Sequence, residues 1–290
     1  MPVAANNVLC IPYTAVLGDN AANLGRILRI AASIAASAEQ ADVIVLPELA
    51  LSGYLLESLA GEVAVSLTDI AEFAADLAHS GVSPATEWVI GVPLREGNFI
   101  FNAAAVLSGG KIRHIHRKLF LPSYGMFDEA RYFDRGSEFS AYDGVLGRTA
   151  ILICEDAWHP ELAHLASVAH AESVIVISAS PARGIDGREE FSSTRNWRHR
   201  LGTYAEVYGQ TYVYCNRSGV EDGVLYDGTC FSYDSDGSLI SGSAHGAADK
   251  ACLFALRTGR RHRPGFAGDA SRQGDARLIH DLLTEFLEKR

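Results

Sequence analysis

The sequence feature that most constrains the fold is the stretch of residues 149–158. Its apolar residues run without interruption into Cys154, and polar residues follow at once. A continuous apolar run of this length is typical of a strand that is buried on both faces of a sheet. Residues 161–166 then take up a helical period, so Cys154 is predicted to lie where a strand ends and a helix begins.

Two interpretations of Cys154 follow from this position. Ligands bind at the carboxyl ends of strands in open α/β sheets, and free backbone N–H groups of such a turn can hold a developing negative charge. The thiol is then a candidate nucleophile. Alternatively, Cys154 is a small buried hydrophobe, because unpaired cysteine is among the most buried residue types. This stretch by itself leaves both interpretations open.

Apolar runs alternate with helical periods along the rest of the chain, which predicts one α/β domain without an internal linker. Residues 99–107 and 111–117 flank a Ser-Gly-Gly turn and predict a β-hairpin. We assign residues 1–258 to the main domain, and residues 259–290 to a C-terminal tail and helix that packs on this domain or on a neighbouring subunit. The predicted helices cover residues 19–34, 68–79, 161–171, 188–208 and 278–287.

Composition excludes several classes of protein. The net charge of −10 argues against a surface that binds nucleic acid or an anionic membrane. The N-terminus lacks a basic segment, and no apolar run approaches the length of a membrane span, so we expect a cytoplasmic protein.

Five cysteines are scattered along the chain without a CxxC pair, which indicates reduced thiols rather than a disulfide framework or a zinc site. His114 and His116 lack a third ligand at matching spacing, and we expect no metal and no cofactor.

Three predicted strand ends carry residues with complementary chemistry: Glu48, Lys118 and Cys154. A thiol needs a base to become a thiolate, and a carboxylate shielded from water can have its pKa raised enough to serve. A nearby lysine would stabilise the oxyanion that forms when the thiolate attacks a carbonyl. Each residue also has an ordinary interpretation, Glu48 as an acid at a helix N-terminus and Lys118 as a solvated surface lysine. Sequence spacing does not prove that the three converge.

These residues resemble a known family. Leu46-Pro47-Glu48, Arg117-Lys118 and Cys154-Glu155-Asp156 match, in the expected order, the Glu-Lys-Cys triad of the nitrilase superfamily of carbon–nitrogen hydrolases. The resemblance runs from the first strand to about residue 256. Residues 118–133, 154–158 and 178–181 also look like the glutaminase branch, as found in glutamine-dependent NAD synthetases.

The resemblance implies a fold and a set of roles. The fold would be a four-layer α-β-β-α sandwich of nitrilase type. Glu48 would be the general base, Lys118 would stabilise the tetrahedral intermediate, and Cys154 would be the acylated nucleophile. Glu129 matches a second glutamate beside the triad. The candidate substrate-binding residues are Tyr54, Tyr124, Glu155, Trp158 and Ser180. The family also implies a homodimer or a larger homo-oligomer that pairs across helices, including the one after the nucleophile.

The leading functional hypothesis is a thiol-dependent amidase that hydrolyses a small primary amide to acid and ammonia through a Cys154 thioester. A glutamine-like ω-amide is the favoured substrate. Synthetases of this branch carry an ATP-dependent domain after the glutaminase, so a second hypothesis is a glutaminase subunit that feeds ammonia to a separate synthetase chain. By this interpretation the chain does not make NAD by itself. An N-carbamoyl amidohydrolase, a nitrilase and a catalytically silent binding protein on the same fold are the remaining alternatives.

Overall fold

The computed structural model describes residues 5–37, 40–185, 190–242, 250–257 and 272–288. Strands and helices alternate along these residues, as the sequence predicts. The strands are β1 Ala5–Cys10, β2 Val43–Val45, β3 Glu87–Glu96, β4 Phe99–Ser108, β5 Lys111–Arg117, β6 Ala141–Gly144, β7 Gly147–Ile153, β8 Ser173–Ser178, β9 Thr211–Asn216, β10 Ser218–Glu221, β11 Val224–Asp227, β12 Cys230–Tyr233, β13 Leu239–Gly242 and β14 Cys252–Arg257. The α-helices are α1 Asn20–Ala36, α2 Ala60–Val63, α3 Leu67–Ala78, α4 Pro160–Val168, α5 Ser192–Tyr208 and α6 Arg272–Glu288.

Two six-stranded sheets form the centre of the molecule. Their strand orders are β14-β1-β2-β3-β4-β5 and β13-β12-β9-β8-β7-β6. In each sheet three central strands are parallel, β1 to β3 in the first and β7 to β9 in the second, and antiparallel strands flank them. Helices α1 and α3 cover the outer face of the first sheet, and α4 and α5 cover that of the second. The prediction of a four-layer α-β-β-α sandwich is confirmed.

Side chains on successive strand residues divide between two apolar layers, as the period of a β-strand requires. In β1, Val8 and Cys10 face the second sheet, whereas Leu9 packs beneath α1 and α3. In β2, Val43 and Val45 repeat the inward pattern. Because both faces of the central strands are covered, these strands appear in the sequence as unbroken apolar runs rather than alternating ones.

Local sequence signals account for most element boundaries. Ser66 and Asp69 form a capping box at the start of α3, one residue from its predicted start. Pro160 occupies the first turn of α4, where its missing N–H costs no helical hydrogen bond. The predicted hairpin is confirmed as β4 and β5, with Gly109 and Gly110 at positive φ in the turn.

The C-terminal region contains α6, which lies against α4. Residues 259–271 and 289–290 of the predicted tail lie outside the described residues, as does residue 258 at the end of the main domain. The apolar residues of α6 are more than half exposed at Leu278, Leu282 and Phe286. The proposed boundary near residue 258 therefore stays a prediction. Among the described residues, no helix combines the length and apolarity needed to cross a membrane.

Candidate active site

Cys154 lies directly after β7, at the start of the 3-10 helix Cys154–Trp158. Its φ of 45° is unusual for a residue with a side chain, and strained conformations of this kind cluster at active sites. In this turn Cys154 is 7% exposed and lies beside the end of β8. There the Ser178 hydroxyl donates a hydrogen bond to Cys154 Sγ at 3.3 Å. The predicted strand–cysteine–helix transition is confirmed.

Glu48 follows β2 in a tight turn over the neighbouring strand β3. A Cβ atom on Gly91 of β3 would lie 2.3 Å from Leu49 N, so only glycine permits this close approach. Leu49 itself has a φ of 48°. The turn directs the Glu48 carboxylate into the protein, where it is fully buried and accepts a 2.7 Å hydrogen bond from Ala179 N.

Lys118 immediately follows β5 and is also fully buried. Its Nζ donates to Glu48 Oε1 at 2.6 Å and to Glu129 Oε1 at 2.7 Å. Asn102 Nδ2 donates to the same Glu48 oxygen at 2.7 Å. The structure thus brings the predicted Glu48, Lys118 and Glu129 into one hydrogen-bonded group, with the Lys118 ammonium between the two carboxylates.

Asn102 was missed by sequence analysis. It belongs to β4, and its backbone carbonyl accepts a 2.9 Å hydrogen bond from Lys118 N. Its signal in the sequence was a lone amide followed by a run of apolar strand residues. A buried polar side chain needs a partner, so such a residue indicates a polar group on a neighbouring element.

Tyr54 supports Glu129 from the opposite side. Its hydroxyl donates a hydrogen bond to Glu129 Oε1, and both side chains are almost fully buried. The Glu221 carboxylate accepts from the backbone N–H groups of Tyr54 and Leu55, at 2.9 and 2.7 Å. Tyr54, predicted to line the substrate pocket, therefore positions a carboxylate of the site.

Burial and charge set the protonation of the group. Burial raises the pKa of Cys154, Glu48 raises it further, and Lys118 with Ser178 lowers it, so the resting thiol stays protonated. Burial alone would lower the pKa of Lys118, but Glu129 and Glu48 raise it above its ordinary value. Burial also raises the pKa of Glu129, against the opposing effect of Lys118. The site therefore holds a permanent ammonium beside a neutral thiol.

Asp156 ties the nucleophile's turn to the segment that carries Lys118. Its Oδ1 accepts from the backbone N–H groups of Leu119 and Phe120, each at 2.9 Å. Its Oδ2 accepts from Ile153 N at 3.2 Å and lies 2.9 Å from His116 Nε2. Because Asp156 is fully buried, these bonds fix the segments that carry Cys154 and Lys118 relative to each other. Sequence analysis recognised Asp156 only as a motif residue.

The remaining predicted pocket residues form two separate sets of contacts. The hydroxyl of Tyr124 donates to Glu155 Oε2 at 2.7 Å, and Tyr124 is largely exposed. Trp158 packs edge-on against Trp197, whose Nε1 donates to Ser180 Oγ at 2.9 Å. Tyr124 and Glu155 thus form a polar pair, whereas Ser180 supports Trp197 and, through it, Trp158.

Arg200 lies near Trp158, Glu155 and Tyr124, although sequence analysis did not predict it. Its guanidinium carbon lies 3.4 Å from the centre of the Trp158 ring. Its Nη1 is buried without a hydrogen-bond partner among the described residues. Residue spacing gave no signal, because Arg200 is one of several arginines in α5.

Comparison with known protein families shows to which family the chain belongs. The profile of the carbon-nitrogen hydrolase family matches residues 7–250. The chain belongs to the carbon–nitrogen hydrolase family. It is 34% identical over 226 residues to the glutamine-dependent NAD(+) synthetase of Xanthomonas campestris pv. campestris, and that match covers 74% of this chain and 38% of the relative. The corresponding synthetase of Thermotoga maritima is 31% identical over 231 residues, or 78% of this hydrolase and 38% of that protein. This chain therefore spans about two fifths of the relatives' length.

Solved structures support the same fold for the hydrolase. The glutamine-dependent NAD+ synthetase of Acinetobacter baumannii aligns with a TM-score of 0.75 at 23% identity, covering 90% of this chain and 48% of that one. A mutant of the Nesterenkonia AN1 amidase, from the nitrilase superfamily, aligns with a TM-score of 0.73 at 20% identity. The alignment covers 97% of this chain and 98% of the amidase. Because the family profile matches residues 7–250, the protein is an enzyme of the class that hydrolyses carbon–nitrogen bonds.

Ser178 provides a pH-dependent test of the Cys154 thiol. Because its hydrogen bond lowers the pKa of Cys154, we expect Ser178→Ala to raise that pKa further. Alkylation requires the thiolate, so the pH profile of Cys154 labelling by iodoacetamide should shift to higher pH.

Peptide mapping at a series of pH values measures this shift. Ser173→Ala is the matched control, because Ser173 lies in the same strand and its hydroxyl donates to Leu146 O rather than to the Cys154 thiol. An unchanged labelling profile in Ser178→Ala would mean that the 3.3 Å contact does not affect the thiol.

Proposed function

We propose that this carbon–nitrogen hydrolase is a thiol-dependent amidase that converts a small primary amide to the acid and ammonia through a thioester on Cys154. The observation that carries the proposal is the buried Lys118 ammonium, which bonds Glu48 and Glu129 beside the Cys154 thiol. A base, an oxyanion-stabilising cation and a nucleophile within one water-poor site are the parts that acyl transfer requires.

The first half of the reaction forms the thioester. Glu48 accepts the thiol proton as Cys154 Sγ attacks the amide carbon, and the carbonyl oxygen gains negative charge. The Lys118 ammonium stabilises this oxyanion, because the buried surroundings weaken its screening by water. The carbon–nitrogen bond then breaks, the leaving nitrogen takes the proton from Glu48, and ammonia departs.

The second half hydrolyses the thioester. Glu48 removes a proton from a water molecule that attacks the thioester carbon. The tetrahedral intermediate collapses with cleavage of the carbon–sulfur bond, and the thiolate regains the proton. Glu129 and Tyr54 act on Lys118 rather than on the substrate, since Tyr54 bonds Glu129 and Glu129 bonds Lys118. They hold the ammonium in place and keep it charged.

The substrate that fits best is a glutamine-like ω-amide. The curated relatives are glutamine-dependent enzymes, although each is covered only in part. Glu155 offers a negative charge to a substrate ammonium, and Arg200 adds a positive charge near the same carboxylate. A neutral aliphatic amide would make no charged contact with Glu155 or Arg200 and would therefore gain less affinity from them.

A substrate panel tests this proposal. We expect kcat/KM for glutamine or a related ω-amide to exceed that for short aliphatic amides, N-carbamoyl amines and nitriles by about 10²-fold or more. Release of ammonia, measured under one condition, is the readout. Tyr124→Phe and Glu155→Gln should reduce the advantage of the ω-amide while changing turnover of a short amide less. A preference for nitriles or for simple aliphatic amides would contradict the proposed substrate, and turnover of none would favour a binding protein.

Assembly is the second part of the proposal. We propose at least a homodimer that pairs through α4 and α6, because α6 exposes Leu278, Leu282 and Phe286 beside α4. Light scattering at micromolar concentration should give at least twice the 31.2 kDa of one chain. Leu282→Glu should return the mass to that of a monomer, and a monomeric wild-type protein would contradict the proposal. A stable complex with an ATP-using synthetase would favour the role of an ammonia-supplying subunit.

A further inference from the structure

Four of the five cysteines lie close together between the two sheets, although they are far apart in the sequence. Cys10 ends β1, Cys215 lies in β9, and Cys230 begins β12. All three are fully buried, and their Sγ atoms lie within 4.8 Å of one another. Cys252, which begins β14, is only partly buried, and its thiol interacts with that of Cys230. We call Cys10, Cys215, Cys230 and Cys252 the thiol cluster.

Strand register explains how the cluster forms. Cys215 and Cys230 are direct partners in the antiparallel pair of β9 and β12, and Cys10 and Cys252 are direct partners in the pair of β1 and β14. Residues directly opposite each other on paired strands point to the same face of the sheet. One pair therefore comes from each sheet, and the two pairs meet in the space between the sheets.

The spacing of the sulfur atoms fits a metal ion. A Zn–S bond of about 2.3 Å places the sulfurs of a tetrahedral site about 3.8 Å apart. The Sγ atoms of Cys215 and Cys230 are separated by 3.9 Å. The third sulfur lies within 4.8 Å of both, so small side-chain rotations suffice to close the set.

The surroundings favour a soft ion. The neighbouring side chains of the inter-sheet core are apolar and include Val8, Val45, Phe231 and Phe254. Sulfur is thus the principal side-chain donor, and thiolate ligands select Zn²⁺, Cu⁺ and related soft ions over Mg²⁺ or Ca²⁺. Partly exposed Cys252 gives the cluster one side open to solvent, through which an ion can enter.

We propose that Cys10, Cys215 and Cys230 bind one soft metal ion of the Zn²⁺ class, with Cys252 as the fourth ligand at the entrance. Burial raises the pKa of the three inner thiols, so they are protonated without metal, and each thiol that becomes a ligand releases its proton to solvent. Because the ligands come from both sheets, the ion joins the two layers of the sandwich and stabilises the folded state.

The cluster lies close to the candidate active site without sharing a residue with it. Cys215 pairs with Ile177 of β8, and Ile177 pairs with Ile153 of β7, the residue before Cys154. Two strand spacings of about 4.8 Å separate Cys215 from this position, or roughly 10 Å. The proposed metal therefore has a structural role and takes no part in the amide chemistry.

Cadmium titration of Cys154→Ala protein tests the site, because this change removes the catalytic thiol as a competing ligand. We expect the ultraviolet sulfur-to-cadmium absorption to saturate at one ion per chain, with release of protons, and Zn²⁺ to compete. Cys215→Ala in the same background should abolish the absorption. Absence of the absorption, or the same absorption in the Cys215→Ala variant, would overturn the proposal.

A second measurement needs no variant of the cluster. X-ray absorption of the cadmium-loaded Cys154→Ala protein should show a first coordination shell of three or four sulfur atoms. Zinc should also raise the melting temperature of this protein, since it binds only the folded site. A shell dominated by nitrogen or oxygen would show binding at surface groups and would overturn the assignment even if Cys215→Ala fails to fold.

Discussion

Replacing Cys154 with alanine is expected to abolish amide turnover, with kcat falling by about 10⁴- to 10⁶-fold. The change removes the nucleophile, and neither Glu48 nor Lys118 can form the thioester in its place. The fold should remain, because only one small side-chain atom is lost, at a cost of roughly 1 kcal/mol. Ammonia release and thermal melting measure the two effects separately.

Acid quenching gives this prediction a positive control. Wild-type protein quenched during turnover should carry an acyl mass adduct on the peptide that contains Cys154, and the alanine variant should carry none. Turnover near the wild-type rate in a Cys154→Ala protein with a normal melting curve would refute the assigned nucleophile.

Glu48→Gln and Lys118→Ala are each expected to lower kcat by about 10³-fold or more. The variant that carries both substitutions should lose little activity beyond the larger of the two single losses. The non-additivity arises because base and oxyanion stabiliser serve the same transition state. Lys118→Arg should not restore activity, because a planar guanidinium cannot replace a compact ammonium between Glu48 and Glu129. Lys111→Ala, an exposed lysine in β5, is the matched control.

The two substitutions are expected to differ in their effect on the free energy of unfolding. Lys118→Ala leaves two carboxylates buried without their cation, which should lower the free energy of unfolding by about 3–5 kcal/mol. Glu48→Gln keeps the shape of the side chain, and its amide oxygen can still accept from Asn102 or Ala179 N, so its loss of stability should be smaller. Denaturant unfolding provides this comparison. Additive losses in kcat of tenfold or less would show that the residues do not act as one site.

Much of the architecture could be predicted from the sequence because its determinants are local. The apolar run before Cys154, the glycines of the hairpin turn and Pro160 at the start of α4 act on neighbouring residues, so spacing alone reveals them. The family motifs also pointed to Glu48, Lys118, Cys154 and Glu129, which the structure brings together.

Only the tertiary structure decided which distant residues complete the site and the thiol cluster. Asn102, Ser178 and Asp156 act through contacts between strands and turns that lie tens of residues apart in the chain. Their roles depend on strand order and register, which local patterns do not encode. The sequence determined where strands end in reactive side chains. The packing of two sheets determined which ends face one another, because side chains 200 residues apart meet only when both sheets are formed.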